Sequence, residues 1–281
     1  MINIDKWKSQ IPELRSRYKD AGPYPHIVLD DFFNEQLADD LLKAFPVSFS
    51  DKGWIHWRHY NEDKHGLNDL HLIPPVIKEF IQYMNSDDFV RFLEQVSGIS
   101  DLVSDPGLEG GGLHLSERGG HLNIHADFST HPRRKDLHRR LNALLYLNRD
   151  WQESYNGALE LWTPDMKHCE KKVYPIFNRL VIFSTTTTSY HGFPDALECP
   201  PGETRKSIAF YYYNKTVVES KIVSTTYQTR PGEGLKAIPN WIDNKLLLGY
   251  TYVKRNLGIN DDFASRILGF KEWFRRSKKD H

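Results

Sequence analysis

The apolar positions of the chain follow a helical period at first and a strand period later. Leu37, Leu41, Leu42 and Phe45 recur at helical spacing behind Asn34, a residue type that commonly caps the start of a helix. The pattern therefore predicts a helix that begins after Asn34. The other elements predicted in the first hundred residues are a short helix within 1–24, a strand at 26–29, a strand at 54–60, a polar loop at 61–70, and helices over 74–84 and 87–97.

From about residue 112 the pattern changes to short apolar runs that are divided by Gly, Pro and Asn. Eight such runs follow one another closely, and that density is typical of a double-sheet jelly roll. The predicted strands are 113–115, 121–127, 141–147, 158–162, 172–176, 180–184, 188–191 and 207–213. Asn178-Arg179 is predicted to be a hairpin turn, and segment 128–140 a flexible loop that acts as a substrate lid.

Helical spacing returns after residue 215, and it predicts helices over 240–257 and 261–278. The predicted fold class is therefore α+β, with a double-stranded β-helix core (jelly roll, cupin-like) backed by N-terminal and C-terminal helices. We expect one structural unit made of three segments. These are a supporting segment at 1–111, the jelly-roll core at 112–215 and a helical extension at 216–281.

Composition narrows the classes of partner. The chain has 37 basic and 37 acidic residues, so no net field attracts it to nucleic acid. Its two cysteines, Cys169 and Cys199, do not make a disulfide scaffold and suit a reducing compartment. The N-terminus has no apolar signal core, and no run approaches the roughly 20 apolar residues of a membrane span. We therefore expect a soluble, cytoplasmic protein, whose oligomeric state the sequence leaves open.

A metal-site pattern stands near the middle of the chain. His125 and Asp127 are two residues apart in an alternating run, so their side chains point to the same face of a strand. His191, which follows the apolar run 180–183, is the best third ligand. Two imidazoles and one carboxylate form the facial set that binds Fe(II) and leaves coordination positions open. The alternatives are a structural His–Asp pair at a sheet edge, and His121 as a ligand on the same face, about 13 Å away.

A carboxylate-binding pattern follows on a later strand. Arg205 and Ser207 alternate onto one face at the start of that strand. A guanidinium that donates two parallel hydrogen bonds, with a hydroxyl beside it, is a receptor for a carboxylate. An ordinary surface salt bridge is the alternative interpretation of Arg205.

In this order the motifs resemble those of the Fe(II)/2-oxoglutarate-dependent oxygenase superfamily, and within it the prolyl-4-hydroxylase-like branch. The motifs that carry the resemblance are the entry strand 25–33, His125-x-Asp127, Leu-Leu-Tyr-Leu-Asn at 144–148, the runs 157–162 and 175–183, His191-Gly192 and Arg205-x-Ser207. The resemblance implies that His125, Asp127 and His191 bind Fe(II) and are catalytic. It also implies that Arg205, Ser207 and Tyr146 bind 2-oxoglutarate, although Tyr146 as a core aromatic would look the same.

The resemblance also implies the reaction. Such an enzyme uses O₂ and 2-oxoglutarate to hydroxylate an unactivated C–H bond, releases succinate and CO₂, and in some cases uses ascorbate as a reductant. Asp127 favours hydroxylation, because similar halogenases have Gly or Ala at that position. The substrate stays open among a small polar metabolite, a glycan, and an amino-acid or peptidyl group. An anionic substrate would suit Arg58, Arg133, Arg134, Arg139 and Arg140.

Two other classes of function remain open from the sequence. A non-catalytic jelly-roll binding module would keep the fold but would have no use for Arg205. A cupin metalloenzyme that does not use 2-oxoglutarate would need the metal ligands alone. The Arg205-x-Ser207 motif argues against both classes.

Overall fold

The computed structural model describes residues 2–47, 53–215 and 225–234. Its helices are α1 (Asp5–Lys8), α2 (Ile11–Asp20), α3 (Glu35–Ala44), α4 (Pro75–Met84) and α5 (Asp87–Ser97), with a 3-10 turn at Glu153–Tyr155. Its strands are β1 (His26–Leu29), β2 (Ile55–His59), β3 (Glu62–Leu67), β4 (Leu102–Ser104), β5 (Gly112–Ser116), β6 (His121–Ala126), β7 (Leu137–Tyr146), β8 (Leu159–Trp162), β9 (Cys169–Val173), β10 (Arg179–Ser184), β11 (His191–Phe193), β12 (Arg205–Lys215) and β13 (Thr226–Tyr227).

Two of the helices, α3 and α5, begin where a side chain accepts a hydrogen bond from a free backbone amide. The Asn34 side chain accepts a hydrogen bond from the Leu37 amide at 2.8 Å, and this cap fixes the start of α3. Ser86 caps α5 in the same way, and α5 ends at Gly98, whose φ of 74° suits glycine. The helices predicted after Asn34, over 74–84 and over 87–97, and the strand at 26–29, are confirmed.

The strands form one hydrogen-bonded sheet that curls into a nearly closed barrel. Their order is β1-β10-β7-β12-β5-β3-β6-β11-β8-β9. Side chains of β8 pack against those of β7 and β10 in one apolar cluster, so the two ends of this order face each other. The strands β10, β7, β12 and β5 therefore form one layer and β6, β11, β8 and β9 the other, which is the predicted double-stranded β-helix.

Alternation along β7 divides its side chains between two apolar clusters. Leu141, Ala143 and Leu145 belong to a large core that the sheet shares with helices α2 to α5. Tyr146 lies on the other face, inside the barrel, with Phe183 of β10. The helices thus cover the outer face of one layer, and the inner face is left for polar residues and a cavity.

Two sequence predictions about connections are wrong. Residues of the predicted polar loop at 61–70 form β3, which pairs with β2, β5 and β6. Asn178-Arg179 does not turn a hairpin, because β9 pairs with β8 whereas β10 pairs with β1 and β7. The Asn178 side chain instead accepts from the Phe33 amide at 3.1 Å and donates to the Phe33 carbonyl at 2.7 Å. It therefore connects the start of β10 to the segment after β1.

Each of the eight predicted core strands overlaps an observed strand, although the strand predicted at 188–191 shares only His191 with β11, and β4 and β13 were not predicted. The predicted loop at 128–140 is shorter, because β7 already begins at Leu137. The helices predicted over 240–257 and 261–278 lie outside the described residues. Among the residues that are described, no helix is both long and apolar enough to cross a membrane.

Candidate active site

The pairing of β6 with β11 brings the predicted metal ligands together. His191 lies directly opposite His125 in this antiparallel pair, which closes the gap of 66 positions between them. Asp127 follows the last residue of β6, and its Oδ1 lies 3.6 Å from His125 Nε2. Its Oδ2 lies 3.3 Å from His191 Nε2. One ligand atom from each of the three side chains lies within 4.8 Å of the others, close enough to bind a single metal ion.

Hydrogen bonds to backbone carbonyls fix the orientation of both imidazoles. His125 Nδ1 lies 2.9 Å from the Asn123 carbonyl oxygen, and His191 Nδ1 lies 2.9 Å from the Ser189 carbonyl oxygen. A carbonyl only accepts, so each Nδ1 carries the hydrogen and each Nε2 keeps a free lone pair. This arrangement is typical of metal-binding histidines.

The charges around the three residues favour metal binding as well. Burial by itself raises the pKa of the Asp127 carboxyl, but the Arg139 guanidinium and His191 outweigh burial and hold that pKa well below its usual range. Burial lowers the pKa of His125, and His191 beside it lowers it further. Asp127 is therefore ionised and His125 neutral at physiological pH, as metal binding requires. The residues present fit a divalent metal ion.

Arg205 occupies the same cavity as the three ligands and is only 5 % exposed. Its Nε donates to the Gly157 carbonyl at 2.8 Å and its Nη2 to the Tyr146 hydroxyl at 3.1 Å, and the Phe193 ring centroid lies 4.2 Å from the guanidinium carbon. No Asp or Glu of the described ranges pairs with it, and burial lowers its pKa. A buried cation without a counter-charge favours an anionic ligand.

Tyr146 and Ser207 lie beside Arg205. They face each other across β7 and β12, and both line the cavity. Because the Tyr146 oxygen accepts from Arg205, the phenol proton stays free to donate to a ligand. The three residues that were expected to bind 2-oxoglutarate are therefore next to one another, and their surroundings suit a carboxylate.

The competing histidines do not join this group. His121 Nε2 lies 3.4 Å from the Tyr60 carbonyl oxygen. His131 is buried, and its Nε2 lies 3.5 Å from Asp105 Oδ2 while its Nδ1 accepts from the amides of Arg133 and Arg134. These contacts anchor the segment that was predicted to be a flexible loop.

Four of the five arginines that were expected to suit an anionic substrate have a carboxylate neighbour, which for Arg58 is Asp63 at 3.5 Å. The side chain of Arg133 is largely exposed and lies 3.1 Å from Glu109, and Arg134 lies 4.0 Å from Asp136. Arg139 lines the cavity but is paired with Asp127. Arg140, the next residue along β7, is not among the residues that line the cavity.

Sequence analysis missed several residues of the site and assigned Arg139 to an anionic substrate instead of to Asp127. Arg139 and Asn142 contact Asp127 directly. The strand that was mistaken for a loop contributes Lys64, which pairs with the partly buried Glu62 at 3.3 Å. Tyr227 of β13 packs against His125 with ring centroids 5.4 Å apart. Nothing in the local sequence around Tyr227 indicates this contact, because it depends on a strand added to β6.

A match to a known protein family bears on the predicted class of enzyme. Residues 111–213 match the 2OG-Fe(II) oxygenase superfamily. The match covers the jelly-roll core and includes every residue that was expected to bind the metal ion or 2-oxoglutarate. The predicted resemblance and the predicted enzyme class, a 2-oxoglutarate-dependent oxygenase, are thereby confirmed, and the family implies Fe(II) and 2-oxoglutarate as cofactors of the oxygenase.

Solved structures agree with this assignment at the level of the fold. A prolyl-4-hydroxylase from Pseudomonas putida is 19 % identical with a TM-score of 0.53, and the match covers 73 % of this chain and 100 % of that one. A prolyl hydroxylase from Trichoplax adhaerens, in complex with a hypoxia inducible factor peptide fragment, is 14 % identical with a TM-score of 0.54, covering 75 % and 94 %. A non-heme alpha-ketoglutarate-dependent epimerase of nogalamycin biosynthesis is 14 % identical with a TM-score of 0.52, covering 82 % and 87 %. No curated protein sequence matches the chain.

Proposed function

We propose that this oxygenase hydroxylates an unactivated C–H bond of a neutral polar substrate and converts 2-oxoglutarate to succinate and CO₂. One observation carries the proposal: two incomplete binding sites share one cavity. On one side, His125, Asp127 and His191 offer three converging ligand atoms. On the other side, Arg205 offers a buried cation that has no carboxylate partner among the described residues.

The three ligands would bind Fe(II), which supplies O₂ activation and C–H oxidation when it is bound. Arg205 binds the remote carboxylate of 2-oxoglutarate through its guanidinium, and Ser207 and Tyr146 donate their hydroxyl protons to the same group. Burial raises the pKa of the Tyr146 phenol more than Arg205 lowers it, so the proton needed for donation is retained. These contacts orient the cofactor toward the metal ligands.

Apolar side chains of the cavity wall strengthen these contacts. Leu144, Leu159, Phe183 and Phe193 line the same space as the polar residues. In such surroundings the effective dielectric constant is lower than in water, so a carboxylate–guanidinium pair is stronger than at the surface. The same wall keeps bulk water away from reactive species.

The charge balance of the cavity supports a neutral substrate group. Lys64 is paired with Glu62 and Arg139 with Asp127, and we assign Arg205 to the cofactor. Within the described part of the cavity, no cation is left for an anionic substrate. Peptidyl groups, small polar metabolites and glycans all meet this condition. We therefore expect that replacing Arg133 and Arg134 together by alanine leaves the substrate KM unchanged.

Turnover of 2-oxoglutarate tests the proposed function. The purified protein, supplied with Fe(II), O₂ and ascorbate, is expected to release succinate slowly by itself and faster with a true substrate. Proline-containing peptides and neutral polar metabolites form the first panel, and the product is expected to gain the mass of one oxygen atom. Asp127→Ala should abolish succinate release.

The same experiment separates the alternatives. A binding module would release no succinate under any condition, and a cupin metalloenzyme would bind metal without consuming 2-oxoglutarate. Succinate release with a product of unchanged oxygen content would refute hydroxylation but keep the oxygenase class. Ascorbate is expected to sustain turnover in the absence of substrate, and omitting it from the assay tests that expectation.

A further inference from the structure

Strand β7 turns two polar side chains toward the same side of the cavity, although they are an odd number of residues apart. Arg139 and Asn142 are three residues apart, so in a regular strand they would point to opposite faces. The pairing of β7 with β12 skips Arg140, which lies between the paired residues Arg139 and Leu141. This one extra residue is a β-bulge, a device that redirects a side chain next to a functional site.

Both redirected side chains bind the same oxygen of Asp127. Arg139 Nη2 lies 3.0 Å from Asp127 Oδ2, and Asn142 Nδ2 donates to that oxygen at 2.8 Å. Arg139 Nε also donates to Asn142 Oδ1 at 2.7 Å, which connects the two donors to each other. Asp127 Oδ1 receives neither of these bonds and lies 3.6 Å from His125 Nε2, whereas Oδ2, which receives both, lies 3.3 Å from His191 Nε2.

Stacking holds the guanidinium in place. The Arg139 guanidinium carbon lies 3.3 Å from the Tyr211 ring centroid and 4.7 Å from that of Phe128. The Tyr211 hydroxyl in turn donates to the Gly110 carbonyl at 2.9 Å. Arg139 is only 4 % exposed, so it has no alternative position in solvent. The hydrogen-bond geometry at Asp127 is therefore built into the fold.

We propose that Arg139 and Asn142 are positioning residues that make Asp127 a ligand through one oxygen: they hold Oδ2 and leave Oδ1 for the metal ion. This inference rests on the proposed function, because it assumes that the three ligands bind a divalent metal. A carboxylate that binds through both oxygens takes one more coordination position. Holding Oδ2 therefore preserves the open positions that 2-oxoglutarate and O₂ require.

The test uses the Co(II)-loaded protein, whose visible absorption reports the number and geometry of ligands without turnover. The variants are Asn142→Ala, Arg139→Gln, the double variant and Arg139→Lys, which keeps a charged donor. Arg140→Met is the matched control, because it removes the neighbouring charge of the same strand without changing the cavity lining. The dissociation constant of 2-oxoglutarate is measured on each Co(II) protein by calorimetry.

We expect the double variant to bind Co(II) with an altered visible spectrum and to bind 2-oxoglutarate about 10- to 100-fold more weakly. Arg139→Lys should recover part of that loss, and Arg140→Met should match the unmodified protein in both measurements. If Arg139→Gln does not fold, Asn142→Ala alone is expected to change the spectrum and to weaken 2-oxoglutarate binding by a smaller factor.

The inference would be overturned if the variants had the same Co(II) spectrum as the unmodified protein and bound 2-oxoglutarate with a similar dissociation constant. Failure of the proposed function gives a different result. In that case the unmodified protein itself binds neither Co(II) nor 2-oxoglutarate, whatever residues stand at positions 139 and 142.

Discussion

Arg205→Met removes the buried cation of the cavity but keeps a side chain of similar length. Among the described residues, the guanidinium donates to the Gly157 carbonyl and the Tyr146 hydroxyl, and no Asp or Glu pairs with it. We expect this variant to lose affinity for 2-oxoglutarate while the ligand-free protein keeps its stability. An arginine with a purely structural role would give the opposite pair of results.

The magnitudes follow from the contacts. Truncating one partner of a buried, hydrogen-bonded charge pair costs about 2–5 kcal/mol of binding free energy. At about 1.4 kcal/mol for each factor of ten, the dissociation constant for 2-oxoglutarate should rise roughly 30- to 4000-fold. In the ligand-free protein, losing the donor to Gly157 costs about 1–3 kcal/mol. Removing a buried charge that has no counter-charge stabilises the ligand-free protein by several kcal/mol, so its free energy of unfolding should stay level or rise.

The assay has two parts and one control. Calorimetry on the Mn(II)-loaded protein gives the 2-oxoglutarate dissociation constant, and urea unfolding of the metal-free protein gives the stability. Lys206→Met removes one positive charge from the next position of β12 and should leave the affinity unchanged, because Lys206 is not among the cavity residues. Normal 2-oxoglutarate affinity in Arg205→Met, or a stability loss of several kcal/mol, would refute the reasoning.

Three further predictions concern single side chains. Tyr146→Phe removes the hydroxyl next to Arg205, so calorimetry should show a rise of about tenfold in the 2-oxoglutarate dissociation constant. Asn178→Ala loses both bonds to Phe33 and should lower the free energy of urea unfolding by about 2 kcal/mol; an unchanged value would show that this contact is dispensable. Burial lowers the pKa of His114 from 6.5 to about 3. Between these pH values the unfolded chain binds a proton that the folded protein does not bind. The stability contributed by neutral His114 is therefore complete above pH 6.5 and is lost as the pH falls toward 3. His114→Gln should therefore flatten the decline in unfolding free energy between these pH values, and an unchanged slope would contradict the burial argument.

The fold was predictable wherever local pattern and tertiary packing agree. The helices with a clear apolar stripe and a capping residue, such as α3 after Asn34, appear where they were expected. Strand β3 was missed because Glu62 to His65 are four polar residues in a row, which hides any alternation. Their burial comes from pairing with β5 and β6 and not from their own hydrophobicity. Single-sequence patterns do not contain that long-range information.

The cluster of His125, Asp127 and His191 was predictable because the geometry is local at His125 and Asp127 and because His191 follows a clear apolar strand. The residues around Asp127 could not be predicted from the sequence. The bulge at Arg140 reverses the alternation that would assign Arg139 and Asn142 to opposite faces, and no residue type in β7 marks that bulge. The contact of Tyr227 with His125 likewise depends on a strand that joins β6 from beyond the predicted core.

The most direct test of the iron and 2-oxoglutarate site is the anaerobic addition of Fe(II), followed by 2-oxoglutarate, while the visible spectrum is recorded. We expect a weak charge-transfer band that appears only after 2-oxoglutarate is added. The band should be absent in Asp127→Ala and, in Arg205→Met, should need far more 2-oxoglutarate. If the unmodified protein leaves Fe(II) unbound and shows no band at saturating 2-oxoglutarate, then the three ligands and Arg205 do not form the site proposed for them.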